Sequence, residues 1–279
     1  MPGVTRHRYA CPLRWADLDA QGHINNAAFL DHLQEARVDW LLAGPPEMAL
    51  LLDEGVLVVA HQLEYLAPVT FGDHPLTIDL WPEAVGASRF SVAYEVWDAD
   101  VLAVRARTAA TPFNLAANRL RRLTELERTA FTEAMEPAEP LRSLPRVPVT
   151  EPAHHHLLSV RWSDLDSYGH VNNVKFFDYV QEARIAVMFA ALDWQSEDVW
   201  VVARQDLEYR RPMDFRTEPY QVRTSVTALG NRSFTLAAEI RDPGTGDLYA
   251  TARTVVVGTS PLTVAQRDAL SRWRVAGAG

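Results

Sequence analysis

The stretch RWADLDAQGHINN, Arg14–Asn26, decides the fold, because nearly the same stretch, RWSDLDSYGHVNN, returns at Arg161–Asn173. Nine of the thirteen positions are identical. The likeness continues through FLDHLQEAR (Phe29–Arg37) and FFDYVQEAR (Phe176–Arg184). In a chain of 279 residues, a repeat spaced by 147 residues predicts two copies of one domain.

Composition and charge exclude several classes of protein. The chain is 48% hydrophobic and 23% charged, which is typical of a globular protein, and its net charge of -9 argues against nucleic acid as a partner. The single cysteine, Cys11, cannot form an intramolecular disulfide, which favours a reducing compartment. Since the sequence has neither a secretory signal nor about 18 consecutive apolar residues, we expect a cytoplasmic protein without a membrane partner.

A proline-rich segment separates the two copies. Residues 136–153, EPAEPLRSLPRVPVTEPA, contain five prolines, which favour extended backbone. The sequence therefore predicts an N-terminal domain at 1–135, a linker at 136–153 and a C-terminal domain at 154–279. Three histidines, His154–His156, follow the linker, but no metal site is expected there, because neighbouring side chains on an extended segment point to opposite faces.

Both halves show the same order of predicted elements, in which a β-like lead-in (Arg8–Trp15, Leu157–Trp162) precedes the motif and a helix with an apolar stripe follows it, starting near Asn25 or Asn172. One helix to five strands predicts an α+β unit, in which the sheet wraps a single long helix. The four β-like runs after each helix are Val56–Val69, Leu76–Val85, Ser88–Trp97 and Val101–Thr111, and then Val199–Tyr209, Tyr220–Leu229, Ser233–Ile240 and Leu248–Val257.

The repeat is imperfect in the first of these strands. VVAHQLEYLAP (Val58–Pro68) matches VVARQDLEYRRP (Val201–Pro212) only if the first copy lacks one residue. A one-residue change moves side chains to the other face of a strand unless a bulge absorbs it. The two halves are therefore predicted to differ at this strand.

Two alternative chemistries for the polar motif fit the residues poorly. Asp17 and Asp19 have the spacing of the first calcium ligands of an EF-hand loop, but the last position, which requires Glu, holds Ala28 in one copy and Lys175 in the other. A hydratase would use Asp19 and His23 for proton transfer. The familiar hydratase pattern of helix-in-sheet folds has Asp and His five residues apart with a proline between them, whereas Asp19 and His23 are four apart and no proline lies between them.

Transfer of an acyl group to water fits the motif better. Such a reaction needs a carboxylate, together with donors where the oxyanion develops, and a helix N-terminus supplies unpaired N–H groups. Asp19 precedes a glycine that permits a tight turn, and Asn25 or Asn26 is a favoured N-cap residue. The carboxylate is therefore expected beside the start of the helix.

Other polar residues of the motif have structural interpretations. Asp17 and Asp164 are expected to hydrogen-bond the backbone of the loop. His23 and His170 either orient the loop or touch a ligand. A buried or interfacial polar pair is expected in each helix, and the residues concerned are Glu35 with Arg37 and Glu182 with Arg184.

The W-x-D-x-D-x-x-G-H-V-N-N pattern, followed by a helix that ends near EAR, resembles the hotdog-fold acyl-CoA thioesterases of the 4-hydroxybenzoyl-CoA thioesterase type. Plant acyl-ACP thioesterases, which are double hotdogs, carry a similar HVNN helix start. The resemblance covers roughly residues 6–115 and 155–260. It implies two tandem hotdog units, each a five-stranded antiparallel sheet around a central helix, that form a pseudo-dimer with the acyl groove between them.

The resemblance also implies roles for single residues. Asp19 and Asp166 match the catalytic carboxylate, and the backbone N–H groups of Asn26 and Asn173 match the oxyanion donors. The residues expected to bind substrate are His23, His170, Asn25 and Asn172. Acyl-CoA is the expected partner, without metal or cofactor, and a homo-oligomer of pseudo-dimers is left open.

The type of activity and the acyl group stay open at this point. A non-catalytic acyl-CoA-binding protein and an acyl-ACP thioesterase are the alternatives, because fold alone does not establish activity. The acyl group is undetermined. Of the two sites we expect that of Asp166 to be the more active, because its half has the fuller strand and the nearby Lys175.

Overall fold

The computed structural model describes residues 6–192 and 198–275. The chain divides into two compact units, Met1–Arg142 and Ser143–Gly279, and the division lies inside the predicted linker. The domain limits given by the sequence, which are narrower, stay a prediction.

The proline-rich segment contains no helix or strand between residues 135 and 150, yet it is held to the sheets. In the first unit, the carbonyl oxygen of Glu139 accepts a hydrogen bond from Arg107 Nη2 at 2.5 Å. In the second unit, Ser225 Oγ donates to the carbonyl oxygen of Thr150 at 3.0 Å. The segment is therefore part of the fold of each unit.

The first unit has a sheet, a long helix and two shorter helices. Within residues 6–142 the elements are, in chain order, β1 His7–Cys11, α1 Ala28–Ala43, α2 Pro46–Glu54, β2 Val56–Tyr65, β3 Leu76–Val85, β4 Phe90–Asp98, β5 Val101–Asn114, β6 Arg119–Leu120 and α3 Glu125–Glu133.

The second unit repeats this arrangement with fewer helices. Within residues 143–192 and 198–275 the elements are β7 His154–Leu158, α4 Lys175–Ala191, β8 Trp200–Tyr209, β9 Tyr220–Leu229, β10 Ser233–Arg241, β11 Leu248–Gly258 and α5 Val264–Ser271.

Both sheets are antiparallel and have equivalent strand orders. The order is β1-β3-β4-β5-β2 in the first unit and β7-β9-β10-β11-β8 in the second. The predicted five-stranded antiparallel sheet is thus present in each unit. Most of the predicted strands are found within a few residues of their predicted bounds, and β3 and β9 have the bounds that the sequence predicts. The first run ends at Tyr65 rather than Val69, because the N–H groups of Leu66 and Ala67 both donate to the carbonyl oxygen of Ala103 and so break the ladder.

Alternating side chains of β4 form the core beneath the long helix. Phe90, Val92, Tyr94 and Val96 are at most 1% exposed. The predicted apolar stripe of α1 is also buried, as is its counterpart in α4; its members are Phe29, Leu33, Ala36 and Trp40, and then Phe176, Val180, Ala183 and Val187. Each large apolar side chain buried in this way stabilises the fold by about 1.5–3 kcal/mol.

Three further helices lie outside the prediction of one helix per five strands. They are α2, α3 and α5, and the last two begin with capping boxes, in which Thr124 pairs with Glu127 and Thr263 pairs with Gln266. The sequences TELE and TVAQ carried this signal for a helix start. Both helices pack against the units without altering the order of the strands.

The prediction that the halves differ in the strand after the helix is wrong. β2 and β8 each have ten residues, and each contains one bulge, at Val59 and at Ala203. Val59 precedes Tyr65 by the same distance as Ala203 precedes Tyr209. The two strands therefore match residue for residue from Val56 and Trp200 onwards, and the halves differ in length in the connection before the strand.

Candidate active site

A tight loop carries the polar motif in each unit. In the first unit a bridge between Leu18 and Ile24 closes the loop, the Asp19 N–H donates to the His23 carbonyl at 2.8 Å, and the Gly22 N–H donates to the Asp19 carbonyl at 3.1 Å. Gly22 has φ +77°, a left-handed conformation that favours glycine.

The second unit forms the same loop. A bridge between Leu165 and Val171 closes it, the Asp166 N–H donates to the His170 carbonyl at 2.8 Å, and Gly169 has φ +80°. The repeated sequence therefore encodes a repeated local geometry.

The two predicted catalytic carboxylates are half-buried and only partly engaged by their loops. Oδ1 of Asp19 accepts the N–H groups of Gln21 at 2.8 Å and His23 at 3.2 Å, and Oδ1 of Asp166 accepts the N–H of Tyr168 at 2.9 Å. Within residues 6–192 and 198–275, no hydrogen bond or ion pair involves Oδ2 of either aspartate. Each carboxylate is thus fixed in orientation and keeps one oxygen for another group.

The asparagine that follows the loop closes a turn ahead of each helix. In the first unit the Asn25 N–H donates to the Asp17 carbonyl at 2.7 Å, and Oδ1 of Asn25 accepts the Ala27 N–H at 2.9 Å. Asn172 makes the same two bonds in the second unit, with Asp164 and Val174.

Because of this turn, the helices begin at Ala28 and Lys175, three residues later than the start near Asn25 or Asn172 that the sequence predicts. The N-cap positions are Ala27 and Val174, neither of which has a capping side chain. Asn25 and Asn172 nevertheless satisfy N–H groups at the entry to the helix, as a cap would.

Two tyrosines that the sequence interpretation missed hold the predicted oxyanion segment. Tyr65 Oη donates to the carbonyl oxygen of Asn26 at 2.7 Å, and Tyr209 Oη donates to that of Asn173 at 2.6 Å. Both lie at the ends of their strands, in the repeated sequence LEY, which was the available signal. The hydroxyls fix the peptide groups at the start of each helix.

The histidines of the two loops have different neighbours. His23 lies beside Thr70 through a backbone bridge, whereas Nε2 of His170 lies 3.8 Å from Oδ1 of Asp214. Thr70 and Asp214 occupy equivalent positions, because each follows a residue whose carbonyl accepts the N–H of Ile24 or Val171. Among the residues that the structure describes, a carboxylate therefore lies beside the motif histidine in the second unit and not in the first.

An exposed aromatic pair lies on each loop. Trp15 packs edge-on against Phe71 at 5.4 Å between ring centroids, and Trp162 packs against Phe215 at 5.5 Å. Each pair joins the start of the motif to the segment that leads into the next strand, so it braces the loop from outside.

The first aspartate of each motif anchors the loop to the helix. The predicted bond to the loop backbone is found for Asp164, whose Oδ2 accepts the Arg161 N–H at 2.8 Å, whereas the Asp17 carboxylate binds side chains instead. Asp17 is buried and binds Arg14 and His32, whereas Asp164 accepts the hydroxyl of Tyr179. Burial raises the pKa of Asp17, but the hydrogen bonds from Arg14 and His32 outweigh it and hold that pKa below its ordinary value.

The predicted polar pairs of the central helices are not buried pairs. Glu35 and Glu182 are exposed, whereas Arg37 and Arg184 are buried in the core. A strictly apolar face would be expected between a helix and its sheet, so these two arginines are unexplained by packing alone.

Among the described residues, no group of three or more His, Cys, Asp or Glu has the arrangement of a metal site, and no helix is both long and apolar enough to cross a bilayer. The His154–His156 run lies on β7, and burial lowers the pKa of His154, whose ring packs edge-on against Trp273.

The sequence model of the thioesterase-like superfamily matches residues 13–140 and 160–263. The chain belongs to this superfamily. Its fold is the α+β double hotdog, two antiparallel sheets each packed on a long helix, as the resemblance implied. The superfamily does not specify the 4-hydroxybenzoyl-CoA type.

Solved structures share this fold over nearly the whole chain. A putative oleoyl thioesterase from Lactobacillus plantarum superposes with a TM-score of 0.75 at 14% identity, covering 94% of this chain and 99% of that chain. A 12:0-ACP thioesterase from Umbellularia californica gives a TM-score of 0.72 at 18% identity, covering 90% and 94%.

A curated relative matches a shorter part. The uncharacterized protein YsmA of Bacillus subtilis (strain 168) is 41% identical over 83 residues, which are 28% of this chain and 54% of the relative. The match thus spans about half the length of that relative.

Proposed function

We propose that the protein hydrolyses acyl-CoA thioesters to the free acid and CoA, with Asp19 and Asp166 as the catalytic carboxylates. One observation carries this proposal. Each carboxylate is oriented through Oδ1 while its Oδ2 has no partner within the described residues, and each lies on the loop that leads into a long helix. A carboxylate held in this way can act without a change of conformation.

The chemistry allows two routes. As a nucleophile, the carboxylate attacks the thioester carbonyl, the carbon–sulfur bond breaks, CoA leaves as the thiolate and takes a proton, and water then hydrolyses the mixed anhydride. As a general base, it takes a proton from water as the water attacks. Both routes put negative charge on the carbonyl oxygen.

That charge needs donors, and we assign them to the backbone N–H groups of Asn26 and Asn173. They lie at the helix entries, where the helix dipole favours negative charge, and Tyr65 and Tyr209 hold the adjoining carbonyls. A preorganised donor of this kind typically contributes about 10²–10³ in rate.

The remaining predicted residues support the site. Asn25 and Asn172 use their side chains to shape the turn, so we assign them an indirect part in substrate binding. His23 and His170 flank the loops, and we assign them contacts with the substrate near the thioester. The reaction requires no metal or cofactor.

Acyl-ACP is the second candidate substrate, because the fold matches that of a 12:0-ACP thioesterase over 90% of this chain. An acidic carrier protein needs a basic surface, which this acidic chain could provide only through clustered arginines. Arg210, Arg211 and Arg216 each pair with an acidic residue, the partners being Glu208, Asp247 and Asp242. Paired in this way, the three arginines do not form the basic surface that an acidic carrier protein needs.

The test is the release of free thiol from a panel of acyl-CoAs and acyl-ACPs, followed with a thiol-reactive dye. We expect thiol release from acyl-CoA by the natural protein and almost none by the Asp19→Asn, Asp166→Asn double variant. Binding of acyl-CoA without thiol release would instead identify a non-catalytic acyl-CoA-binding protein, and faster release from acyl-ACP would identify the carrier-bound substrate.

A further inference from the structure

Arg37 is a charged residue in the apolar face of α1. It lies one helical turn from Leu33 and one turn from Leu41, both of which are at most 1% exposed, and is itself 6% exposed. An arginine guanidinium always carries its charge in proteins, and burying a charge without a partner costs several kcal/mol. The fold therefore needs a reason to keep this residue.

The partners of Arg37 do not supply that reason. Its Nη1 donates to Tyr94 Oη at 3.2 Å, and within residues 6–192 and 198–275 neither residue makes any other side-chain hydrogen bond or ion pair. Tyr94 is fully buried, and its hydroxyl is the acceptor in this bond, so its own proton also lacks an acceptor in the described chain. A nearly buried guanidinium thus has a neutral hydroxyl and no carboxylate as its partner within the described residues.

The surroundings define the kind of acceptor that would fit. Val92 and Val96, the neighbours of Tyr94 on the same face of β4, are fully buried, and the helix contributes leucines. Apolar walls disfavour a strongly hydrated phosphate or a nucleotide, whereas the planar fork of an arginine suits a carboxylate. An apolar chain that ends in a carboxylate satisfies both conditions.

We propose that Arg37 and Tyr94 bind the carboxylate of an aliphatic chain inside the first unit. The guanidinium donates to the carboxylate oxygens and the tyrosine hydroxyl donates a further hydrogen bond, which supplies the missing negative charge. The carboxylate can belong to a free fatty acid, or to the far end of an acyl group that carries a second carboxyl; this second source rests on the proposed function.

The second unit offers a matched control within the same chain. Arg184 occupies the position of Arg37, but in the sequence FTLAAEI of β10 Ala238 stands where FSVAYEV of β4 has Tyr94. The pair of an arginine and a tyrosine is therefore a property of the first unit. Substitution at Arg184 changes an equivalent buried charge without changing the proposed site.

The position along the helix fits an acyl chain that starts at the motif. Arg37 lies nine residues after Ala28, where α1 begins, which is about 14 Å along the helix axis. A dicarboxylic acyl group of medium length could therefore reach from a thioester near the helix start to Arg37.

Calorimetric titration of the full-length protein with decanoate tests the site without requiring hydrolysis. We expect decanoate to bind the natural protein, Arg37→Met to weaken binding by about tenfold or more, and Tyr94→Phe by a smaller factor. Arg37→Lys should restore part of the affinity, and Arg184→Met should bind as the natural protein does. Absent binding to the natural protein, or equal affinity of Arg37→Met, would overturn the proposal.

Two further measurements separate a binding role from a structural one and identify the source of the carboxylate. Arg37→Met should raise the melting temperature, because it removes an uncompensated buried charge, whereas a structural arginine would lower it when replaced. A rate preference for sebacoyl-CoA over decanoyl-CoA that is lost in Arg37→Met identifies the substrate as the source; decanoate binding without this preference identifies a free fatty acid.

Discussion

The Asp17 carboxylate lies 3.0 Å from His32, measured from Oδ2 to Nε2, and this buried contact ties the motif loop of the first unit to its central helix. In the second unit the equivalent contact is made by Tyr179, whose hydroxyl donates to Asp164 at 2.7 Å. Two different side chains, at positions that are equivalent in the sequence repeat, therefore anchor the motif loop to the long helix.

This equivalence predicts the outcome of an exchange at position 32. His32→Tyr should leave the free energy of unfolding nearly unchanged, because a tyrosine hydroxyl can donate to Asp17 as Tyr179 does to Asp164. His32→Phe removes a donor from a buried carboxylate and should destabilise by about 1–3 kcal/mol. Urea unfolding of both variants measures the difference, and equal stabilities would contradict the anchoring role.

The lowered pKa of Asp17 gives the fold a dependence on acid. As the pH falls, the unfolded chain binds the proton before the folded chain does, because the folded pKa is the lower one. The stabilisation is complete above the ordinary carboxyl pKa of about 3.9 and is lost as the pH falls through the folded value. Asp17→Asn should therefore lower stability at neutral pH and make the acid-induced decline shallower.

Urea unfolding at a series of pH values from neutral to acidic checks this prediction. Asp100→Asn, in an exposed turn, serves as the matched control and should leave the pH dependence of the free energy of unfolding unchanged. An acid-induced decline of the same steepness in Asp17→Asn and in the natural protein would count against it.

The two sites should contribute unequally to hydrolysis. Asp166→Asn should cost more activity than Asp19→Asn, and the double variant should lose about 10²-fold or more. The two strands have equal lengths and therefore do not support a more active Asp166. The support comes from Asp214, which lies beside His170 in the second unit, whereas Thr70 lies beside His23 in the first. Steady-state rates of hydrolysis of one acyl-CoA test this prediction. Equal rates of the two single variants would contradict the asymmetry, and a double variant as active as the natural protein would contradict the mechanism.

The tyrosines that hold the helix entries should affect turnover one site at a time. In an Asp166→Asn background only the first site works, so Tyr65→Phe should lower kcat there while Tyr209→Phe leaves it unchanged. Each substitution removes one neutral hydrogen bond and should cost only about 0.5–1.5 kcal/mol of stability. If Tyr209→Phe lowered kcat equally in this background, the assignment of each tyrosine to its own site would fail.

Hydrolysis should continue after exhaustive chelation, because the proposed chemistry uses a carboxylate and backbone donors. The measurement is the rate of thiol release before and after dialysis against a chelator. Activity that disappears and returns only with a divalent cation would identify the acidic loop as a metal site.

Much of the fold was predictable from local sequence. The β-like run Ser88–Trp97 predicted β4, in which Phe90, Val92, Tyr94 and Val96 lie on one buried face because successive side chains of a strand point to opposite faces. Gly22 and Gly169 predicted tight turns, and both have left-handed backbone. Two short helices were missed although their capping boxes stand in the sequence, at Thr124 and Thr263.

The candidate site was only partly predictable. Asp19 and Asp166 stand out in a repeated motif, but Tyr65, which lies 39 residues from Asn26 in sequence, reaches that residue only because β2 packs beside the helix entry. Aligning sequence letters also placed the extra residue inside a strand, whereas the hydrogen-bonded ladders of β2 and β8 keep equal lengths and matching bulges.

By itself, the sequence determined the duplication, the succession of the long helix and the strands in each half and the tight turns of the motif loops, because these depend on periodicity and on hydrogen bonds between near neighbours. Tertiary structure decided which polar side chains are buried and what they meet: His32 against Asp17, and Arg37 against Tyr94. Those contacts join residues brought together by packing of helix against sheet and loop, and the energy of a buried charge or hydrogen bond depends on that environment rather than on the chain around it.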